Sequence, residues 1–276
     1  MQFTLRMSYI REVNNSVLSL LKYLVTPLRR KPDYLIIGAQ KSGTSTLFRL
    51  LSEHPDIQNP YTKELHYFDQ NFNRPFYWYK SHFPIDRGKI TGEATPIYLF
   101  HPAIPLRVQT HLPKTKFIVI LRNPVDRAYS HYQMSVRKKI ETLSFEDAIN
   151  AEPSRIKEAS LNPSGTNSQI SMPLKHYSYL SRGKYYNHLT RWFALFPQSQ
   201  FHILSFEDLL SNTQYEYDRI CDFLNVCHIE DISLPKLNSD SYSEMHTDTR
   251  ALLNGYFSQS NKELMKLIRV EFPWSD

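Results

Sequence analysis

The residues whose types and spacing most clearly allow chemistry run from Gly38 to Thr46 and read GAQKSGTST. Gly38 and Gly43 have the spacing of the two glycines in a nucleotide-phosphate loop, but Thr44 stands where that loop carries its lysine. The lysine of this stretch is Lys41, two residues before the second glycine. Backbone N–H groups opening a following helix, the Lys41 ammonium and four hydroxyls would together bind an anion. The hydroxyls belong to Ser42, Thr44, Ser45 and Thr46.

The sequence gives this loop no aspartate with which to hold a divalent metal. NTPases with a related loop hold Mg²⁺ through an aspartate, whereas the apolar run Phe117–Leu121 is followed by Arg122. We therefore predict no metal site, and a bound phosphate whose reacting neighbour needs no metal. A sulfuryl group fits, because it carries less charge than a terminal phosphoryl group. The alternative is a plain helix-capping turn with an incidental lysine.

A second anion site is predicted in the stretch LRNPVDRAYSHY, Leu121–Tyr132. Arg122 leaves the end of a strand, and Ser130 lies two turns into the helix that follows. An arginine fork and a serine hydroxyl can together bind a phosphate separate from the first one. The alternative is a surface helix with ordinary basic residues.

A candidate general base lies in TKELHYFD, Thr62–Asp69. If this segment is extended, alternation places Glu64 and His66 on one face. A paired Glu and His commonly take a proton from a hydroxyl once their pKa values are tuned. The alternative is a structural glutamate beside a hydrogen-bonded histidine.

The elements that must position these residues alternate between apolar runs and helical stripes. Strands are predicted at Tyr34–Gly38, Phe117–Leu121 and Phe201–Leu204. Helices are predicted at Thr44–Glu53, from Pro124 to about Arg137, from Ser205 to about Leu224, at Tyr185–Phe196 and at Arg250–Val270. This order predicts an α/β fold with a mostly parallel central sheet. Ligands of such sheets bind at the carboxyl ends of the strands, which brings Lys41–Thr46 and Arg122 to one edge. The polar stretch Asn150–Pro173 is predicted to be a surface loop.

The net charge of +6 is concentrated in residues 1–31, which hold six basic residues and one acidic residue. The remaining body is close to neutral, so we predict no nucleic-acid binding. We predict a basic helical extension at residues 1–32, either solvated or touching anionic lipid, and one domain at residues 33–276. The apolar run Val17–Val25 is too short to cross a membrane, and Cys221 and Cys227 are expected to be buried, reduced thiols. We therefore predict a cytoplasmic protein, with peripheral membrane contact as an option.

Seven segments occur in an order that resembles the sulfotransferases that use 3′-phosphoadenylyl sulfate (PAPS), above all the heparan sulfate branch and its bacterial relatives. They include YLIIGAQKSGTSTLFRLL, KELHYFD, GEATPIYL and FIVILRNPVDRAYSHY. The resemblance spans about Pro32 to Trp274 and implies a P-loop-like fold of three layers, a central sheet flanked by helices. It also implies transfer of a sulfuryl group from PAPS to a hydroxyl acceptor, with a carbohydrate as the predicted class.

The resemblance implies a role for each matching position. The loop Lys41–Thr46 would bind the 5′-phosphosulfate end, with Lys41 also stabilising the leaving group. Arg122 and Ser130 would bind the 3′-phosphate, and Tyr185 would form part of the nucleotide or acceptor wall. Glu64 would be the catalytic base, assisted by His66 and Asp69.

Two departures from the family pattern leave alternatives open. Ala94 stands where heparan sulfate 3-O-sulfotransferases carry a lysine, and residues 239–250 replace their closing loop, with Tyr242 and Arg250 as stand-ins. The acceptor could therefore be a glycan, a lipid-linked sugar, a polyketide hydroxyl or a tyrosine. A nucleotide-binding protein without turnover and a metal-dependent nucleotide kinase are the rival functions.

Overall fold

A computed structural model describes residues 26–161, 171–234 and 243–274. Its centre is a four-stranded parallel sheet with the strand order β2-β1-β3-β4. The strands are β1 Tyr34–Gly38, β2 Gly92–Ala94, β3 Lys116–Leu121 and β4 Phe201–Ser205. The predicted α/β fold is confirmed, and β1, β3 and β4 match their predicted ranges to within one residue. The sequence did not predict β2, because three residues are too few to show a period.

Helices cover both faces of this sheet. The helices are α1 Thr44–Glu53, α2 Phe76–Lys80, α3 Ile104–His111, α4 Pro124–Arg137, α5 Phe145–Leu161, α6 Met172–His176, α7 Tyr185–Phe193, α8 Phe206–Ser211, α9 Thr213–Leu224 and α10 Thr247–Ile268. Along β1, Leu35 and Ile37 enter one core with residues of α3, α7 and α10. Tyr34 and Ile36 enter a second core with residues of α1 and α9. Alternate strand residues therefore bury opposite faces, and the result is three layers.

The helix after β3 begins as the sequence predicts. The side chain of Asn123 accepts a hydrogen bond from the backbone N–H of Val125 at 2.9 Å, and Pro124 is the first helical residue. An Asn followed by a Pro favours a helix start for two reasons. The Asn side chain accepts a hydrogen bond from an otherwise unpaired N–H of the first turn, and Pro has no N–H at a position where that group would have no helical partner. Arg122 is therefore held at the junction of β3 and α4.

The predicted surface loop at 150–173 is wrong for its first part. Residues up to Leu161 continue α5, with Pro153 inside the helix. The helix forms because Phe145, Ala148 and Ile149 bury one helical stripe, which outweighs the lost backbone donor of Pro153. One turn on, the buried Glu152 carboxylate accepts hydrogen bonds from the N–H groups of Leu180 and Ser181. Residues 162–170 lie outside the described part.

Two smaller expectations also need correction. Cys221 is buried as predicted, whereas Cys227 is exposed, because it follows the C-terminal end of α9. The predicted helix from Ser205 to Leu224 is two helices, α8 and α9, divided at Asn212.

The predicted extension at residues 1–32 lies mostly outside the described residues. Of the part that is described, Arg30 pairs with Asp33 at 2.8 Å, and Lys31 donates to the main-chain oxygen of His111 at 3.1 Å. Residues 30–31 thus contact the sheet domain, while the predicted division at residue 32 stays a prediction. No helix among the described residues is long and apolar enough to cross a membrane.

Candidate active site

The loop after β1 has a backbone that favours glycine at the second of its two glycines, Gly43. Gly43 has a φ of +83° and is the residue before α1. A Cβ at this position would lie 2.8 Å from the ring of Phe206. Glycine is thus favoured twice here, by the left-handed backbone and by the close aromatic ring.

The start of α1 presents donors toward the loop. No side chain caps the helix at Gly43, so the first N–H groups of α1 remain available for an anion. Ser42 is fully buried, and within the described part of the chain its Oγ has no hydrogen-bond partner. A buried hydroxyl normally has a partner. The Ser42 hydroxyl and the first N–H groups of α1 are therefore available to hydrogen-bond a ligand, as a phosphate-binding role would require. Of the predicted hydroxyls, Thr44 is buried, Thr46 is half-buried and Ser45 is exposed.

Cations gather around Lys41. Burial lowers the pKa of the Lys41 ammonium, and three neighbouring positive charges lower it further. These charges belong to Arg137, Arg122 and Lys138. Arg122 Nη1 also donates to the main-chain oxygen of Lys41 at 3.2 Å. The structure thus brings the first predicted anion site and Arg122 together at one sheet edge. The positive charges there repel one another, and an anionic ligand would reduce that repulsion.

The other residues predicted to bind the donor lie close to Arg122 in the chain or in space. Ser130 is buried on α4. Tyr185 is also buried, and its hydroxyl donates to the main-chain oxygen of Arg122 at 2.9 Å. Burial raises the pKa of Tyr185 to about 12. Tyr185 therefore supports the segment between β3 and α4, called the Arg122 turn below, from within the core. Its direct contact with a nucleotide stays a prediction.

Of the two suggested stand-ins near the C-terminus, only Arg250 is described. Arg250 Nη2 lies 2.7 Å from Asp126 Oδ1 on α4. Arg250 thus already pairs with a carboxylate beside the Arg122 turn. Tyr242 lies outside the described residues.

Glu64 and His66 meet, although their backbone is not the predicted extended one. Both have left-handed φ angles, +61° and +52°, so simple alternation does not place them. The prediction of an extended segment was wrong because three hydrogen bonds fold the chain, one to β2 and two within the turn that follows His66. The N–H of Glu64 donates to the main-chain oxygen of Ala94 at 3.1 Å, and two N–H groups, those of Gln70 and Asn71, bond to the oxygen of His66. The side chains still face each other, with Glu64 Oε2 3.4 Å from His66 Nε2.

His66 lies between two carboxylates. Its Nδ1 is 2.8 Å from Oδ2 of the buried Asp69. Burial alone would lower the pKa of His66, but hydrogen bonds to Asp69 and Glu64 raise it to about 9. The hydrogen bond from His66 lowers the pKa of Glu64 to about 2, with partial burial opposing and Lys63 assisting. At neutral pH the pair is therefore an imidazolium holding a half-exposed carboxylate.

A cavity of about 220 Å³ joins this pair to the loop. Its lining includes Glu64, His66 and Gln40, the residue before Lys41. Lys138, Lys175 and His176 add positive or titratable groups to its wall. A candidate base and Gln40, the residue before the predicted anion-binding loop, thus line one cavity. Such an arrangement can bring a hydroxyl close to a group held by that loop.

Sequence reasoning missed the residues that connect the helices around this cavity. The buried Arg182 donates to the side chain of Gln40 and to the main-chain oxygens of Leu174 and Lys175. It ties the loop to the end of α6. No local pattern predicts this contact, because Arg182 lies 142 residues from Gln40 along the chain.

Among the described residues, one cluster has the donor types of a metal site, formed by His54, Asp56 and Cys227. Its groups are already engaged with one another. His54 Nδ1 accepts from the N–H of Asp56 at 3.0 Å, and Nε2 donates to the main-chain oxygen of Cys227 at 2.8 Å. With both ring nitrogens in use, the cluster fastens the end of α1 to the segment after α9.

Comparisons with known proteins show what this chain is similar to as a whole. The family model of the sulfotransferase domain matches residues 31–265. A membrane-associated sulfotransferase, kil1, of Dictyostelium discoideum is 28% identical, over 89% of this chain and 67% of that protein. Human heparan sulfate glucosamine 3-O-sulfotransferase 6 is 36% identical, over 72% of this chain and 53% of that protein. The chain spans about half the length of the heparan sulfate 3-O-sulfotransferases that it matches.

A solved structure also matches most of the chain. The crystal structure of a sulfotransferase from Alicyclobacillus acidocaldarius superposes with a TM-score of 0.75 and is 31% identical. The match covers 90% of this chain and 100% of that one. The chain therefore shares its overall fold with that sulfotransferase.

Proposed function

This chain belongs to the sulfotransferase domain family, and we propose that it transfers a sulfuryl group from PAPS to an acceptor hydroxyl. The observation that carries the proposal is that one cavity is lined by both Gln40 of the loop and Glu64. In such a cavity a hydroxyl can approach a group held by the loop while a carboxylate takes its proton. Positioning of this kind supplies much of the rate in group-transfer reactions.

The proposed step is an in-line substitution at sulfur. The acceptor oxygen forms a new bond to the sulfuryl sulfur as the bond between that sulfur and the 5′-phosphate oxygen breaks. The acceptor proton passes to Glu64, and adenosine 3′,5′-bisphosphate leaves. Negative charge grows on the departing phosphate oxygen, so Lys41 and the N-terminus of α1 would stabilise the transition state more than the ground state.

The donor would be held at two places, and the geometry at Arg122 supports this. The loop Lys41–Thr46 would hold the 5′-phosphosulfate. Arg122 and Ser130 would hold the 3′-phosphate, with Tyr185 fixing the Arg122 turn through its 2.9 Å hydrogen bond. The reaction needs no divalent ion in this scheme, because side chains and backbone N–H groups supply the positive charge.

A carbohydrate is the acceptor class that we propose. The relatives named above include enzymes whose names specify heparan sulfate glucosamine. A groove of about 970 Å³ is lined by Thr62, two residues before Glu64 in the sequence, and by Arg49 and Arg29. The fully exposed ring of Tyr61 stands at this groove. An open groove with an aromatic ring and arginines can take an extended polar chain better than a small flat molecule.

The location of the protein stays a prediction, as does membrane contact through residues 1–31. The kil1 relative is membrane-associated by name.

Labelled PAPS with a pool of hydroxyl acceptors, oligosaccharides first, tests the proposal. Label should pass to an acceptor, and calorimetry should show stronger binding of adenosine 3′,5′-bisphosphate than of ATP with Mg²⁺. Binding of the bisphosphate without transfer to any acceptor would favour the binding protein without turnover. Preference for ATP with Mg²⁺ would favour the kinase.

A further inference from the structure

A buried carboxylate belongs to the residue before Ala94, whose main-chain oxygen accepts a hydrogen bond from the N–H of the candidate base Glu64. Glu93, on β2, is fully buried. It accepts hydrogen bonds from the hydroxyls of Tyr79 at 2.6 Å, Thr95 at 3.0 Å and Tyr98 at 3.2 Å. Three donors on one buried carboxylate fix the positions of all three hydroxyls. The transfer scheme above gives this cluster no role.

One of these hydroxyls reaches the turn that carries His66. The Tyr98 oxygen accepts a hydrogen bond from the N–H of Phe68 at 3.3 Å while its own proton is donated to Glu93. Phe68 is the residue before Asp69, whose carboxylate lies 2.8 Å from His66 Nδ1. The chain of contacts thus runs from the sheet through Tyr98 and the Phe68–Asp69 turn to His66.

The backbone at the site needs such support. Glu64 and His66 both have left-handed φ angles, which non-glycine residues keep only where the surroundings over-determine them. Arg107 Nη1 donates to the main-chain oxygen of Phe68 at 2.6 Å, so both polar backbone groups of Phe68 are held by side chains. Tyr98 is anchored to β2 through its own hydrogen bond to Glu93.

We propose that Tyr98, held by the Glu93 carboxylate, is a positioning residue for the transfer reaction. It keeps the Phe68–Asp69 turn in place, and through Asp69 it keeps His66 directed at Glu64. The inference rests on the proposed function for its effect on the transfer rate. Its effect on the position of His66 does not depend on that function. Tyr98 touches neither the loop at Lys41 nor Arg122 in this arrangement, so donor binding should be independent of it.

Tyr98→Phe tests the inference, with Tyr79→Phe as the matched control. Both variants delete one fully buried hydroxyl that donates to the same oxygen of Glu93, but only the Tyr98 hydroxyl also accepts a hydrogen bond from the turn. Both variants keep the aromatic ring that packs on Phe68. We expect Tyr98→Phe to lower kcat on the order of tenfold, because small misplacements of reacting groups are costly. KM for PAPS should stay within about twofold, since the donor site is left intact.

The control gives the result that would overturn the inference. Tyr79→Phe should lower thermal stability as much as Tyr98→Phe does but keep kcat within about threefold of wild type, because the two hydroxyls differ mainly in the contact with the turn. If both variants lose kcat equally, the cluster acts only on overall stability. A wild-type kcat in Tyr98→Phe would also contradict a positioning role.

A second readout separates failure of this inference from failure of the proposed function. Titration of the His66 imidazole by NMR needs no substrate. Glu64 and Asp69 are hydrogen-bonded to His66, and Lys138, Lys175 and His176 line the same cavity. Tyr98→Phe should shift the midpoint of His66 down toward its ordinary 6.5, because the loosened turn weakens the contacts with the two carboxylates. Tyr79→Phe should leave it unchanged. An unchanged midpoint in Tyr98→Phe overturns the inference even if transfer is observed, whereas a shifted midpoint supports it even if no acceptor is found.

Discussion

Arg122 donates a hydrogen bond from Nη1 to the main-chain oxygen of Lys41 across 3.2 Å, which joins the end of β3 to the loop after β1. The two residues are 81 positions apart in the sequence. Because the strands are parallel neighbours, their carboxyl ends meet at one edge. The contact fixes the positions of the two predicted anion sites relative to each other.

Arg122→Ala should selectively weaken binding of nucleotides that carry a 3′-phosphate. Loss of a charged hydrogen bond costs about 1.5–3 kcal/mol, which is on the order of 10–100-fold in affinity. Calorimetry should show this loss for adenosine 3′,5′-bisphosphate and a much smaller one for adenosine 5′-phosphate. Arg49→Ala, on the exposed face of α1, is the control. Equal losses for both nucleotides would show that Arg122 only shapes the loop.

Gly43→Ala should destabilise the protein by about 1–3 kcal/mol and impair donor binding. Its φ of +83° is unfavourable for alanine, and the new Cβ would lie 2.8 Å from Phe206. Gly255→Ala is the matched control, since Gly255 lies in α10 with nothing within 4 Å of the added Cβ. That variant should gain about 0.5–1 kcal/mol. Chemical denaturation measures both, and an unchanged Gly43→Ala would refute the steric account of the loop.

The pair of Glu64 and His66 should make the effect of His66→Ala on stability depend on pH. The raised pKa of His66 stabilises the fold fully below its ordinary 6.5, and this contribution is lost as pH rises through about 9. The lowered pKa of Glu64 stabilises it above its ordinary 4.5, and that contribution is lost as pH falls through about 2. The free energy of unfolding, measured by denaturation from pH 3 to about 10, should therefore differ most between wild type and His66→Ala in the range from 4.5 to 6.5, where both contributions are fully present. A constant difference over the whole range would contradict the ion-pair assignment.

Lys41→Arg should extend donor binding to higher pH. The pKa of Lys41 is lowered by burial and by neighbouring cations, so the free site loses this charge at lower pH than an ordinary lysine. Affinity for the anionic bisphosphate should then fall as pH rises through that lowered pKa. Arginine stays protonated, so the variant should lose less affinity on the alkaline side, even if its affinity at neutral pH is reduced. Calorimetry at several pH values checks the slope, and parallel curves for both proteins would contradict it.

The sequence predicted the parts of the site that depend on local chemistry. The glycine spacing of the loop, the Asn-Pro start of α4 and the all-apolar run of β3 each have one good structural solution. Parallel strands then bring Lys41 and Arg122 to the same edge by topology alone. These inferences succeed because each rests on a few neighbouring residues.

The sequence could not predict what depends on distant contacts. Glu64 and His66 were expected on one face of an extended strand, and they meet instead through a left-handed turn held by Ala94, Phe68 and Tyr98. Residues 150–161 were expected to be a loop, because the stretch is polar and contains Pro153. They are helical because they continue a helix whose buried apolar residues, Phe145, Ala148 and Ile149, come before them. In both places tertiary contacts outweigh the local preference.

Glu64→Gln tests the central claim most directly, with Glu53→Gln on α1 as the control for a lost exposed carboxylate. Both variants and the wild type are given labelled PAPS and one accepted hydroxyl substrate, and their affinities for adenosine 3′,5′-bisphosphate are measured in parallel. We expect Glu64→Gln to bind the bisphosphate normally but to transfer label on the order of 10²–10⁴-fold more slowly, while Glu53→Gln matches the wild type. Transfer by Glu64→Gln at the wild-type rate would contradict the account.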